Sequence, residues 1–457
     1  MNMLLPRTPR LVLMLAVFAV SLALMPARAQ AQQIQQITFD DAVRIALDQN
    51  YLLKRAANTV ELQSISVSRQ RMSFFPNLNL NGSAGQGSGR NFIQELGEII
   101  SRTTNSVNSS ISSGVNVFNG FGDVASLKQA RLQRNASELD YERQRQTVVF
   151  TVMSNYLTLI ERREQIRIQE ENLEAQQQQL TQIEEFVRVG SRPMSDLFAQ
   201  QATTAQAEAS LLDAQRLYQL SEISLIQTLQ LDPFGRYEFA IPEADDAALV
   251  AERYDVRAML QNAFDRRYDL QAQRQDIDAA LQGIRVARSG YWPSLNFSIS
   301  SSFRYTDSRD QVDFSTQFFD ERSTSLGFSV NVPLFDRFVT RNNVQQARVQ
   351  LQNAQLDLEN MRQDIALQVR QGYLDYLTDE KRLDVTEKQL RSAQQALEAE
   401  QERYNVGAST LVELTQARST FVQASSDRIE AKYNFLFRKR LIEYYIGVLD
   451  PTRPLFE

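Results

Sequence analysis

The side chains able to do chemistry are few in kind. The 457-residue chain contains no Cys and no His, which excludes thiol nucleophiles, disulfides, zinc clusters and imidazole bases. It carries no nucleotide-binding loop, nucleophile motif or paired-carboxylate site, so no catalytic residue, metal ligand or cofactor is expected. What remains is a pair of acids in matching surroundings. Asp196 follows Val189-Gly190-Ser191-Arg192-Pro193, and Glu413 follows Tyr404-Asn405-Val406-Gly407-Ala408-Ser409-Thr410; the glycines at 190 and 407 and the acids at 196 and 413 are both 217 apart. An acid in the first turn of a helix is favoured by the helix dipole alone. Copies of Glu413 around a symmetry axis would in addition form a cation-attracting ring.

The elements that carry these acids are long helices. Between Asp123 and Val189 there is a single glycine-free, proline-free stretch before Gly190, roughly 65 residues and therefore about 100 Å of helix at 1.5 Å per residue. Val152, Leu159, Ile166, Leu173, Leu180 and Val187 recur at every seventh position, the spacing of a left-handed coiled coil. Its partner is a return helix from Pro193 to Leu231, in which Leu197, Leu211, Tyr218 and Leu225 keep the spacing and Thr204 is the gap. The Gln176 to Gln179 run is expected on a solvated face. Each tip glycine is the ordinary left-handed cap of the helix it ends.

Upstream, residues from Thr38 to Phe75 predict one helix, ended by Phe75-Pro76. The period then changes to two, predicting strands at about 77–90 and 103–118 with an external loop between them. The plan repeats at the same offset. Trp292-Pro293-Ser294-Leu295-Asn296 answers Phe75-Pro76-Asn77-Leu78-Asn79, strands follow at about 295–306 and 323–332, and heptads return as Val369, Tyr376, Leu383, Leu390, Leu397 and Tyr404. The domain plan is a first repeat over 30–233, an irregular linker over 234–254, a second repeat over 255–451 and a tail over 452–457. Residues 1–29 predict an export signal, with Arg7 and Arg10 before an apolar run and cleavage near Ala29 or Ala31. Without it the formal charge goes from −6 to −9, because Arg7, Arg10 and Arg28 are lost; an exported acidic chain without a basic cluster is a poor partner for nucleic acid.

Four amphipathic strands cannot close a barrel, and open edges in a bilayer leave backbone groups unpaired at several kcal/mol each. Three copies supply twelve strands, the simplest even-numbered barrel with an open lumen. The expected fold is mainly α with membrane β: a trimeric 12-stranded β-barrel continued by a 12-helix coiled-coil α-barrel, with an internal two-fold repeat. Helix, two strands, long helix and return helix, twice over, together with Tyr404-x-Val-Gly-x5-Glu413-Leu414, the switches at Phe75-Pro76 and Trp292-Pro293, and Val332-Pro333-Leu334-Phe335, resemble the TolC-like outer-membrane efflux proteins over essentially the whole mature chain.

The resemblance implies a homotrimeric exit duct in the outer membrane of a Gram-negative bacterium, extending into the periplasm. It implies docking on a periplasmic adaptor that serves an inner-membrane pump of RND or ABC type. It assigns Glu413, Asp196 and Tyr404 to a periplasmic gate, and Val189, Gly190, Ser191, Val406, Gly407 and Ala408 to adaptor-docking tips. Phe74, Phe75, Tyr291 and Trp292, next to the strands, are candidate membrane-interface aromatics against outer-membrane lipid. The chain departs from the family pattern at Ser409, where some relatives place an arginine, at Gln416, where they place a second acid, and at Val187, the first-copy counterpart of Tyr404. The competing reading is a pore-less periplasmic coiled-coil adaptor or scaffold, for which a single hairpin flanked by adaptor-type β modules would be expected. An ordinary porin would lack the long heptad helices.

Overall fold

The computed structural model describes residues 35–93, 97–241, 249–309 and 312–450. The expected signal segment, the 452–457 tail and the linker acids Glu243, Asp245 and Asp246 lie outside the described residues. The elements run β1 (Gln35–Ile37), α1 (Phe39–Gln49), α2 (Tyr51–Met72), β2 (Asn79–Ile93), β3 (Glu98–Asn119), α3 (Gly122–Arg188) and α4 (Met194–Leu229). The second half follows as β4 (Tyr237–Phe239), α5 (Val256–Arg266), α6 (Tyr268–Ser289), β5 (Ser294–Thr306), β6 (Ser323–Asn331), α7 (Val339–Asn405) and α8 (Leu411–Ile446), with a π-helical turn at Thr316–Asp320 between β5 and β6.

The duplication is exact to the residue in the helices. Every helix of the first half starts and ends 217 residues before its counterpart: 39 and 256, 51 and 268, 122 and 339, 194 and 411 at the starts, 188 and 405, 229 and 446 at the longest ends. Apart from Gly97, the left-handed residues obey the same offset, with Gly120 and Arg337 and then Phe121 and Phe338 before the long helices, Gly190 and Gly407 at the tips, and Gln230 and Gly447 after the return helices. Each copy also has its own core. Ala46, Leu53, Val148, Val152, Leu159 and Leu225 are buried in one cluster, and Ala263, Leu270, Ile365, Val369, Tyr376 and Ile442, each 217 further on, are buried in the other. The heptad seam therefore faces inward in both copies, with α3 packed along α2, α4, α6 and α8.

Four expectations change. The predicted single helix from Thr38 to Phe75 is two, because Asn50 leaves helical geometry; its side chain caps α2 at the Leu52 N–H (2.9 Å) and donates to the Thr228 carbonyl (3.1 Å), tying the break to the end of α4. The linker is not wholly irregular, since β4 pairs in parallel with β1 and brings the two halves of the chain together. The expected external loop between the first two strands is mostly strand. Once the antiparallel register is set, pairing continues from Asn79↔Ser112 to Ile93↔Glu98, which satisfies backbone groups that a loop would leave to solvent. Finally, Gln176 and Gln179 are buried. Gln200 Nε2 donates to the side-chain oxygen of Gln176 (2.8 Å) and to its carbonyl (3.1 Å), and the Thr204 hydroxyl donates to the Gln200 carbonyl (2.9 Å). The heptad gap at Thr204 is thus one side of a polar layer.

The four long strands form one antiparallel sheet of order β2-β3-β5-β6. Register places Leu80, Val107, Ile111, Val115, Phe297, Ile299, Leu326 and Phe328 on one face. The opposite face carries Asn81, Ser83, Asn108, Ser110, Ser298, Ser300, Ser302, Ser325 and Ser329. Most of the large apolar side chains are solvent-exposed in the single chain, Leu80 at 74% and Leu326 at 69%, so this sheet does not cover its own apolar face. Among the described residues β2 and β6 each have one unpaired edge.

Candidate gate and docking tips

Each tip is built by a helix that stops on a glycine. In the first, Gly190 has φ +75, its N–H donates to the Val187 carbonyl (3.0 Å) and Ser191 N–H to the Phe186 carbonyl (2.9 Å). In the second, Gly407 has φ +77, with Gly407 N–H on the Tyr404 carbonyl (3.0 Å) and Ala408 N–H on the Arg403 carbonyl (2.7 Å). These paired bonds are the Schellman closure. A Cβ at either glycine would meet open space, so the requirement there is backbone conformation and not room. Val189 and Val406 are 70% and 77% exposed, and the remaining tip residues Gly190, Ser191, Gly407 and Ala408 are exposed as well.

The two tips of one chain lie against each other. Ile183 of α3 is buried with Tyr404, Leu411 and Leu414 of the second hairpin, flanked by Val187, Leu197 and Leu397. Tyr404 is fully buried and its hydroxyl has no hydrogen-bond partner among the described residues. Burial pushes that hydroxyl above the ordinary 10.0, so it remains protonated at neutral pH. The guanidinium of Arg192, reaching over from the first tip, sits 4.6 Å from the Tyr404 ring centroid, and its Nη1 is 3.9 Å from Asp196 Oδ2. The candidate gate residues Tyr404 and Asp196 are therefore joined through Arg192.

Glu413 bonds instead to Ser409 and Thr410. Its carboxylate accepts from the Thr410 N–H (2.9 Å), the Ser409 hydroxyl (2.9 Å) and the Thr410 hydroxyl (3.0 Å), and Thr410 Oγ1 accepts from the Glu413 N–H (3.3 Å). This is a capping box at the start of α8. The Thr410 N–H, with the Ser409 and Thr410 hydroxyls, holds the Glu413 carboxyl below its ordinary value of 4.5. Because the folded value is lowered, the cap is complete at neutral pH and is lost as pH falls through that lowered value. The single Ser409 proton is shared with Glu400, whose carboxylate pairs with Arg403 at 2.9 Å.

Arg192 is the residue that sequence reasoning left out, and its signal was present: 192 and 409 are 217 apart, so Arg192 occupies in the first copy the place that Ser409 occupies in the second. Met194 and Phe198 at the first tip and Val412 at the second also went unnoticed, exposed at 51%, 61% and 77%. The candidate interface aromatics Phe74, Phe75, Tyr291 and Trp292 are all exposed, at 40%, 62%, 56% and 58%, where the helices give way to strands. Phe121, Phe335 and Phe338, exposed at 66%, 73% and 56%, join them at the same junction, Phe335 and Phe338 in edge-to-face contact at 5.6 Å.

The model of the family described as "Outer membrane efflux protein" matches residues 42–229 and 259–443, one block for each copy. The chain belongs to that family. This outer membrane efflux protein is 24% identical over 364 residues to outer membrane protein TolC of Escherichia coli K12, covering 76% of this chain and 72% of TolC. It is 23% identical over 402 residues to protein CyaE of Bordetella pertussis, covering 87% of this chain and 81% of CyaE. Its fold superposes on the outer membrane protein VceC from Vibrio cholerae with a TM-score of 0.76 at 16% identity, over 90% of this chain and 96% of VceC. The family consists of channel proteins of the outer membrane and not of enzymes, and the efflux protein is an outer-membrane exit channel.

Proposed function

We propose that three copies of the efflux protein form a passive duct, closed at the periplasmic tips until an adaptor and an inner-membrane pump dock there. The observation that carries this reading is the sheet: one face apolar, the other serine and asparagine, two open edges, and only four strands. Pairing β6 of one copy with β2 of the next satisfies every edge, turns the apolar faces to lipid and the polar faces to a lumen. No helix among the described residues is long and apolar enough to cross a membrane. The stretch of β5 from Leu295 to Tyr305, tilted as barrel strands are, covers roughly 25 Å, the height of an outer-membrane apolar band.

In this arrangement each protomer contributes α3, α4, α7 and α8 to a tunnel of twelve helices, about 100 Å long by the rise of its 67-residue members. Arg192, Tyr404 and Asp196 join the two hairpin tips within each protomer and hold them in the closed position. Val189, Val406 and their neighbours provide the exposed docking surface. A pore-less adaptor or scaffold has no use for a two-faced sheet with open edges, which is why that alternative is set aside. Membrane fractionation, heat-modifiable gel mobility and planar-bilayer conductance of the purified protein test the proposal together. Heat-sensitive trimers with discrete conductance are expected, and a soluble monomer that opens no channels would refute it.

A further inference from the structure

The polar face of the sheet carries one charged residue among the side chains described, Arg304 of β5. Its neighbours there are Asn, Ser, Thr and Gly on all four strands. Arg304 is exposed and pairs with no carboxylate among the described residues; its Nε donates to the neutral Oδ1 of Asn108 at 3.1 Å. That bond fixes the plane of the guanidinium and leaves its terminal N–H groups for a ligand. A concavity of about 680 Å³ lies over this region, lined by Asn81, Ser83, Asn108, Ser110, Ser302 and Arg304. Arg309 and Glu321 at its margin bond to each other, Arg309 Nη2 to Glu321 Oε1 at 3.1 Å, so they cancel as charges. The cavity therefore combines hydroxyl and amide donors with one uncompensated cation.

We propose that Arg304 and its polar surround form a binding station for multivalent oxyanions on the wall of the duct. This rests on the trimeric duct reading above, in which the polar face is the lumen and three Arg304 side chains stand at one height. A planar guanidinium matches the geometry of phosphate- and carboxylate-type oxygens, and a ring of three on a face that is otherwise neutral among the side chains described focuses the field on passing anions.

Purified trimers in planar bilayers test this, with tripolyphosphate added on the barrel side. In wild type, micromolar to millimolar tripolyphosphate should reduce the current, and the block should weaken as KCl is raised. Arg304→Gln should raise the half-blocking concentration at least tenfold, while Arg304→Lys, which retains the charge but not the fork, should fall between the two. Trimer formation of each variant is checked by heat-modifiable mobility; if the Gln variant does not assemble, wild-type salt dependence and the Lys variant decide. Block that is the same in Arg304→Gln and wild type, or a wild-type current indifferent to tripolyphosphate, overturns the proposal. Folded trimers without any conductance would instead overturn the duct reading itself.

Discussion

Tyr404 does its work through its ring. Its hydroxyl is buried and unpartnered among the described residues, whereas the ring fills the cluster with Ile183, Leu411 and Leu414 and receives Arg192 at 4.6 Å. A cation over the face of a buried ring is worth about 0.5–2 kcal/mol, and the 3.9 Å pair with Asp196 adds little because both partners keep contact with solvent. In the proposed trimer that small term recurs three times around the axis. Arg192→Ala should therefore raise single-channel conductance or open probability severalfold, while Tyr404→Phe should leave both unchanged. Bilayer recordings of the two variants decide the matter. If Tyr404→Phe opens the channel and Arg192→Ala does not, the closing contact is a hydrogen bond of the phenol to another protomer and not the ring contact inside one. Glu413 shows the other side of residue-scale reasoning: its type and place in the first turn are explained by the capping box alone.

At the scale of elements, the two hairpins are copies in length and register but not in composition. Hairpin one interrupts its apolar seam with Gln176, Gln200 and Thr204, and the Gln200 amide donates to the Gln176 side-chain oxygen at 2.8 Å and to Thr204 Oγ1 at 3.5 Å. Polar positions inside a coiled-coil seam specify register at a cost in stability. Gln200→Ala should leave the Gln176 side-chain oxygen without its donor and open a small void, costing about 1–3 kcal/mol. Thermal unfolding followed by circular dichroism should show a lower transition temperature, with an unchanged value counting against the layer. The heptad pattern predicted the seam, yet the glutamines looked solvated because helical spacing alone does not say which flank of a seam the neighbouring helix covers. The break at Asn50 was hidden for a related reason: its decisive bond goes to the Thr228 carbonyl, 178 residues away. The strand ends that pair up to Ile93 and from Glu98 were underestimated because 91–102 shows no period of two in its apolar residues, Phe92, Ile93, Leu96, Ile99 and Ile100, until a partner strand sets the register.

At the scale of the whole molecule, the single chain leaves an apolar sheet face and two strand edges uncovered among the described residues. Leu326, Phe328 and Val330 on β6 are 69%, 67% and 65% exposed, and β6 offers a free edge beside them. Leu326→Arg should keep the helices folded but impede barrel insertion, since an arginine facing lipid near mid-membrane costs about 2–4 kcal/mol per protomer. Loss of heat-modifiable trimer from the membrane fraction, with helical circular dichroism retained, is the expected result; normal insertion would place Leu326 on the lumen side. The sequence by itself determined what is local or periodic: long helices from the absence of Gly and Pro, the tips from Val-Gly, the strands from period two, and the duplication from a constant 217-residue offset. Only the tertiary structure decided which parts meet. Two tips separated by that offset lie side by side, Arg192 lies over Tyr404, and β1 pairs with β4. Periodicity orients a side chain relative to its own helix or strand, whereas a contact between distant segments depends on how all the intervening elements pack, and no local pattern encodes that.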